Sequence, residues 1–263
     1  MGKITFLGTG TSQGIPMIGC NCPVCKSSDS KDNRLRTSAL IEIDNFRILI
    51  DCGPDFRQQM LREGITDVDA IILTHQHKDH TGGMDDIRAF NYFRKQAFPI
   101  YAEPYVQDSL KMEYSYAFAE YKYPGVPEYK LHTIDEKPFN ITKDLPDGTK
   151  ASITVTPIRV YHYMLPILGF RFGNMAYITD GSSIPQEEFE KLKGLDLFIV
   201  NTVRKEKHIS HFSLSEALDV IKKVAAPRNY LTHLSHQIGT HAHLESILPE
   251  NVHAAYDGLK VDF

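Results

Sequence analysis

No stretch of the 263 residues approaches the roughly eighteen consecutive apolar positions of a membrane-spanning helix. The opening MGKITFLGTG carries one lysine and an apolar run too short for the core of a secretory signal. Phe6 also stands where a myristoylation motif needs serine or threonine. A cytoplasmic protein with no membrane partner is therefore expected. Excess positive charge is missing as well: 29 Lys and Arg against 33 Asp and Glu leave a formal net charge of −4. No global basic field draws long nucleic acid, so small-molecule partners are favoured. Neither a repeat period nor a low-complexity linker divides the chain, which predicts one domain over residues 1–263. Oligomeric state leaves no trace in the sequence, and a homodimer stays open.

Cysteine is scarce too, at four residues, yet three of them fall within GCNCPVCKS as C-x-C-x-x-C. In a reducing compartment clustered thiols bind metal more often than they pair as disulfides. A tetrahedral zinc wants four ligands, and Cys20, Cys22 and Cys25 are three. A redox pair at Cys22 and Cys25, or buried thiols without a ligand, are the alternatives. Cys52 stands apart and reads as a small buried hydrophobe. Histidine, by contrast, is plentiful at twelve residues and sits in tight groups.

Short apolar and β-branched runs recur: KITFL, SALIEI, FRILID, DAIILT, SITVTPIRV, AYITD, LDLFIV and RNYLT. Several end in Asp, His or Thr, as buried strands delivering residues to one sheet edge would. SALIEIDNFRILID reads as a hairpin turning at Asp44–Asn45. Helices are expected over PDFRQQMLREG, from Pro54 to Gly64, and over SLSEALDVIKKVAAP, where Ser213 and Glu216 suit an N-terminal cap. The mixture predicts an α/β fold of two sheets between outer helices. Residues 88–130 are rich in aromatics and read as a helical insert with a Pro/Gly turn; the sharper alternative is a lid over a site.

LTHQHKDHTGG places His75, His77, Asp79 and His80 directly after the run DAIIL. A strand end followed by a tight loop lets such side chains converge, and imidazole with carboxylate suits a divalent metal. Two adjacent metals fit four close candidates better than one. Taken singly, His162 in VYHYM reads as a hydrogen-bonded core or surface histidine, Asp180 in ITDGS as a turn aspartate, and His233 in YLTHLSH as a strand-ending residue.

H-x-H-x-D-H after an apolar strand is the signature of the metallo-β-lactamase superfamily, and the chain resembles its members. That resemblance implies the αββα sandwich, two mixed sheets flanked by helices. It also implies a first divalent metal on His75, His77 and His162, and a second on Asp79, His80 and His233. Asp180 would bridge the pair, and Asp51 in ILIDCG would buttress the metal loop. LGTGTSQGIPMIGCNCPVC and LTHLSHQ are similar to the cyclic phosphodiesterase branch linked to phosphonate breakdown. By that likeness Cys20, Cys22, Cys25 and His236 would hold a structural zinc, completing the three-cysteine set.

The activity so implied is hydrolysis of small phosphodiesters, cyclic ones included, by a hydroxide bridging two zinc or manganese ions. Asp79 and His211 are the expected catalytic residues, with His211 in SHFSLSEAL protonating the departing oxygen and His208 the less favoured donor. A helix-capping surface histidine is the plain alternative for His211. GTGTSQG reads as a tight loop offering backbone amides to a phosphate, and Arg34, Arg36 and Lys78 read as surface charge or phosphate contacts. Two other functions compete: a superfamily hydrolase of a thioester, lactone or amide, and an inactive zinc-stabilised binding protein.

Overall fold

The computed structural model describes residues 1–263. Its strands are β1 (Gly2–Gly8), β2 (Ser38–Ile43), β3 (Phe46–Ile50), β4 (Ala70–Ile72), β5 (Phe98–Ala102), β6 (Tyr129–Thr133) and β7 (Phe139–Asp144) in the first half. The second half contributes β8 (Lys150–His162), β9 (Leu165–Phe172), β10 (Met175–Tyr177), β11 (Leu197–Asn201), β12 (Arg228–Thr232), β13 (Val252–Ala254) and β14 (Lys260–Asp262). They form two seven-stranded sheets, ordered β14-β1-β2-β3-β4-β5-β6 and β13-β12-β11-β10-β9-β8-β7. Both mix parallel and antiparallel pairs.

Period-two patterning decides what each strand faces. Phe46, Ile48 and Ile50 of β3 enter the core between the sheets, while Leu49 packs into the outer layer of the first sheet. In β8, Ile153 and Val155 face the inter-sheet core and Ile158 and Val160 the outer layer of the second. Every strand buried on both faces therefore reads as nearly continuous apolar sequence.

Helices cover the outer faces. On the first sheet lie α1 (Phe56–Glu63), the single turn α2 (Lys78–Thr81), α3 (Arg88–Arg94), α4 (Pro104–Glu113) and α5 (Ser115–Phe118); on the second lie α6 (Leu214–Val224) and α7 (His241–Ile247). Gly64 ends α1 in the left-handed region at φ 64°, and Ser213 with Glu216 forms a capping box on α6. The hairpin between β2 and β3 turns at Asp44 and Asn45, both with positive φ, as expected. No helix is long and apolar enough to cross a membrane.

Within residues 88–130, expected as an aromatic-rich helical stretch, β5 also runs, parallel to both β4 and β6, and α4 and α5 form the crossover between β5 and β6. FPIYA is buried on both faces and too short to show alternation, and its aromatic surroundings hid it. Tyr114 of this stretch donates its hydroxyl hydrogen to the Thr81 carbonyl, and Lys78 pairs with Glu113. The crossover thus lies beside the histidine loop.

Candidate metal centre

Strand ends deliver the side chains. β4 runs out at Ile72, and Thr74, His75 and His77 follow before α2 presents Asp79 and His80. Asp51 follows β3, Asp180 follows β10 and His233 follows β12, each with its backbone in the left-handed region at φ 61°, 57° and 55°. Non-glycine residues seldom adopt that conformation, and three at strand ends of the two sheets mark a site where side-chain placement overrides backbone preference.

Asp79, His80, Asp180 and His233 offer ligand atoms all within 4.8 Å of one another. His80 Nε2 lies 3.2 Å from Asp180 Oδ1 and 3.3 Å from Asp79 Oδ2. His233 Nε2 lies 3.2 Å from the same Asp180 oxygen. On the other side, the rings of His75 and His77 are 4.6 Å apart, and His162 stands 5.7 and 5.1 Å from them. Asp180 belongs to both neighbourhoods, since its carboxylate also meets His162 and His211.

The outward nitrogens of these rings are prepared as lone-pair donors. His162 Nδ1 lies 2.9 Å from the Asp180 carbonyl and 2.7 Å from the Ser210 carbonyl, so it must carry the proton and leave Nε2 bare. His80 Nδ1 meets Asp51 Oδ2 at 2.7 Å. The Thr74 hydroxyl donates to Asp51, so it accepts from His75 Nδ1 at 2.9 Å. The Nε2 atoms of His75 and His80 and both ring nitrogens of His233 are buried without a hydrogen-bond partner, Nε2 of His80 and of His233 facing only the Asp79 and Asp180 carboxylates. Buried polar atoms are rarely left so, and their convergence beside carboxylates is the arrangement a cation satisfies.

Charge balance agrees. Burial pushes His75 well below the ordinary histidine value. Burial also opposes charge on His80, but Asp180, Asp79 and Asp51 overcome it and hold the ring well above that value. Desolvation would raise Asp180, yet His233 and His80 keep it well below the carboxylate range. Acidic groups this buried stay ionised only beside positive charge, which here is a proton on His80 that a divalent ion would displace.

A second group lies three residues beyond His233. Cys20, Cys22, Cys25 and His236 present ligand atoms within 4.8 Å of one another, and none is in a disulfide. His236 Nδ1 is 3.4 Å from Cys20 Sγ and 3.3 Å from Cys22 Sγ. A tetrahedral zinc with ordinary bond lengths would set that separation at roughly 3.5 Å. Backbone hydrogen bonding from Cys25 draws the Cys22 thiol down to about 6, while burial raises Cys25 to about 11.

His211 Nδ1 sits 3.9 Å from Asp180 Oδ2, and burial pushes the ring down to about 3. His208 lies behind it, ring centres 5.0 Å apart. Arg34 is neither surface charge nor a phosphate contact: it is 2% exposed and donates to Thr9 Oγ1 and the Ala255 carbonyl. Arg36 is paired with Asp55. In GTGTSQG the amides of Gly10 and Gly14 are already bonded to Leu35 and Thr11.

Sequence reasoning missed Thr74, whose amide and hydroxyl both hold Asp51, and Asn201, whose amide group brackets Gly181 N–H and C=O beside Asp180. Both end apolar strand runs with a polar residue, and that signal was readable. The left-handed backbone at Asp51, Asp180 and His233 had none.

Residues 46–234 match the beta-lactamase superfamily domain. The whole chain superposes on a crystal structure described as a new diphosphatase from the PhnP family, with a TM-score of 0.87, 38% identity and 98% of that chain covered. The chain belongs to the beta-lactamase superfamily. An octanoyltransferase of Porphyromonas gingivalis is 44% identical over 261 residues, 98% of this chain but 51% of the relative. The chain therefore spans about half the length of that protein. Zinc-bound PqqB from Methylobacterium extorquens, 17% identical with a TM-score of 0.74 over 99% of this chain and 100% of that one, shares the superfamily fold. So does the short form of human tRNase Z, 19% identical with a TM-score of 0.71 over 99% and 98% of the two chains.

Proposed function

We propose that the protein is a dinuclear, metal-dependent hydrolase of small phosphodiesters, cyclic esters and diphosphate diesters among them. The observation that carries this reading is the convergence of bare, buried imidazole nitrogens on the shared carboxylate of Asp180. His75, His77 and His162 would hold one divalent ion, Asp79, His80 and His233 the other, with Asp180 between them. Such a pair, when bound, lowers the pKa of water held between its members and offsets charge on a phosphoryl oxygen.

The remaining work falls to the chain. Asp51, fixed by the Thr74 amide and hydroxyl, holds the tautomer of His80, and Thr74 holds that of His75. Asp79 accepts a hydrogen bond from the attacking water and keeps its lone pair aimed at phosphorus. His211, neutral in its buried position, hydrogen-bonds the departing oxygen through a ring N–H, and that oxygen takes its proton from solvent water. Cys20, Cys22, Cys25 and His236 would hold a zinc that fixes the loop next to His233 and takes no part in the chemistry. Support also comes from the PhnP-family diphosphatase, similar over the whole chain.

The name of the Porphyromonas gingivalis relative favours a second reading, hydrolysis of an acyl thioester, although that protein is about twice as long as this chain. A panel of bis(p-nitrophenyl) phosphate, 2′,3′-cyclic nucleotides, a diphosphate diester, an octanoyl thioester and a lactone separates the two. The metal-loaded protein is expected to turn over the phosphorus esters. Intact phosphorus esters alongside a hydrolysed thioester or lactone would overturn the proposal.

A further inference from the structure

The turn after His162 is built against its own backbone preference. His162 pairs with Leu165 across β8 and β9, so Tyr163 and Met164 are the two residues of a tight hairpin loop. Such loops favour glycine or asparagine at positions of positive φ. Here Tyr163 takes φ 57° instead. Neither side chain is packed away: Tyr163 is 53% exposed and Met164 74%. The turn is nonetheless held in place, because the Tyr163 amide donates to Ser182 Oγ at 2.9 Å, two residues beyond Asp180. Across the site, Ser210 accepts from His162 Nδ1, and its neighbour Ile209 is 70% exposed. Isolated surface apolar groups need no explanation. Three of them on the two loops that share His162, one on backbone that disfavours it, do.

We propose that Tyr163, Met164 and Ile209 form a specificity wall that receives a flat aromatic group of the substrate, a nucleobase or an aryl arm, while the phosphorus lies at the metal centre. This rests on the phosphodiesterase reading above and names the organic half of its substrate. A rigid ring, a flexible thioether and a branched aliphatic side chain on the two loops that meet at His162 accept a planar group by stacking and apolar contact and need no hydrogen-bond readout. Stacking of one base on one aromatic side chain is worth about tenfold or more in affinity.

Calorimetric titration of the zinc-loaded protein with adenosine 5′-monophosphate and, separately, with inorganic phosphate tests it. The nucleotide is expected to bind about tenfold more tightly than phosphate. Tyr163→Gly should remove most of that difference while its melting temperature holds or rises, since glycine suits the positive φ. Tyr163→Phe should keep the difference, and Ile209→Ser should lose part of it. Nucleotide binding no tighter than phosphate, or Tyr163→Gly weakening both ligands equally, overturns the wall. Failure of phosphate itself to bind would instead strike the phosphodiesterase reading.

Discussion

At the scale of residues, the site depends on atoms that have no partner within the protein. His75 is fully buried, its Nδ1 is held by Thr74, and its Nε2 meets nothing. His75→Ala is expected to abolish phosphodiester turnover by at least about a thousandfold while circular dichroism and the melting temperature stay close to those of the metal-free wild type. The Thr74 hydroxyl loses the His75 Nδ1 hydrogen but still donates to Asp51, so the fold should tolerate the change. Asp51→Asn is a subtler perturbation. It deprives the His80 Nδ1 hydrogen of its carboxylate and should weaken metal binding about 10–100-fold, readable by competition with a chelator. Residue types at this scale were legible: H-x-H-x-D-H announces a metal loop through chemistry alone. His162, Asp180 and His233 were not legible singly, because one histidine or aspartate at a strand end has many plain explanations. Only their resemblance-given order gathered them, and only three-dimensional geometry shows Asp180 meeting both neighbourhoods.

Elements were legible where sequence punctuation is strong. The α6 capping box and the glycine that ends α1 are local signals, and they stand where expected. β5 and β9 escaped because FPIYA and LPILGFRF contain proline or glycine inside strands buried on both faces, which blurs alternation. Elements also carry two predictions. Arg159 of β8 reaches across to Glu103, ahead of α4, with nitrogen–oxygen distances of 2.9 and 2.5 Å, and both residues are 8% exposed. Arg159→Ala strands a buried carboxylate and should destabilise by about 3–5 kcal/mol in chemical denaturation. Glu103→Gln combined with Arg159→Met should recover part of that loss. On the loop between β1 and β2, Cys22→Ser removes one ligand of the thiol group beside His236. It should lower the melting temperature by roughly 5–10 °C, with activity surviving at temperatures below the transition. Loss of all turnover at unchanged stability would place that cluster in the chemistry and not in the scaffold.

For the whole molecule, the first sheet takes the early strands plus β14 and the second takes the later ones, so the site residues come from both halves. His75, His77, Asp79 and His80 come from the first sheet's edge; His162, Asp180, His211 and His233 come from the second. The two sets meet only when the inter-sheet core of Ile48, Ile50, Ile72, Phe170, Tyr177 and Ile199 is closed. Global unfolding and loss of metal should therefore occur together, and chelation should lower the apparent melting temperature by mass action. The layered architecture was legible from the succession of apolar runs, whereas the pairing of β5 with β6 was not, since strand partners are set by tertiary packing. The residues from both sheets would together hold a catalytic metal pair and a separate scaffold zinc. The most direct test is the metal-to-protein ratio of the wild-type chain, measured by plasma mass spectrometry after exhaustive dialysis. About three divalent ions per chain are expected. A ratio of about one, with phosphodiesters left intact by the same sample, would contradict that expectation.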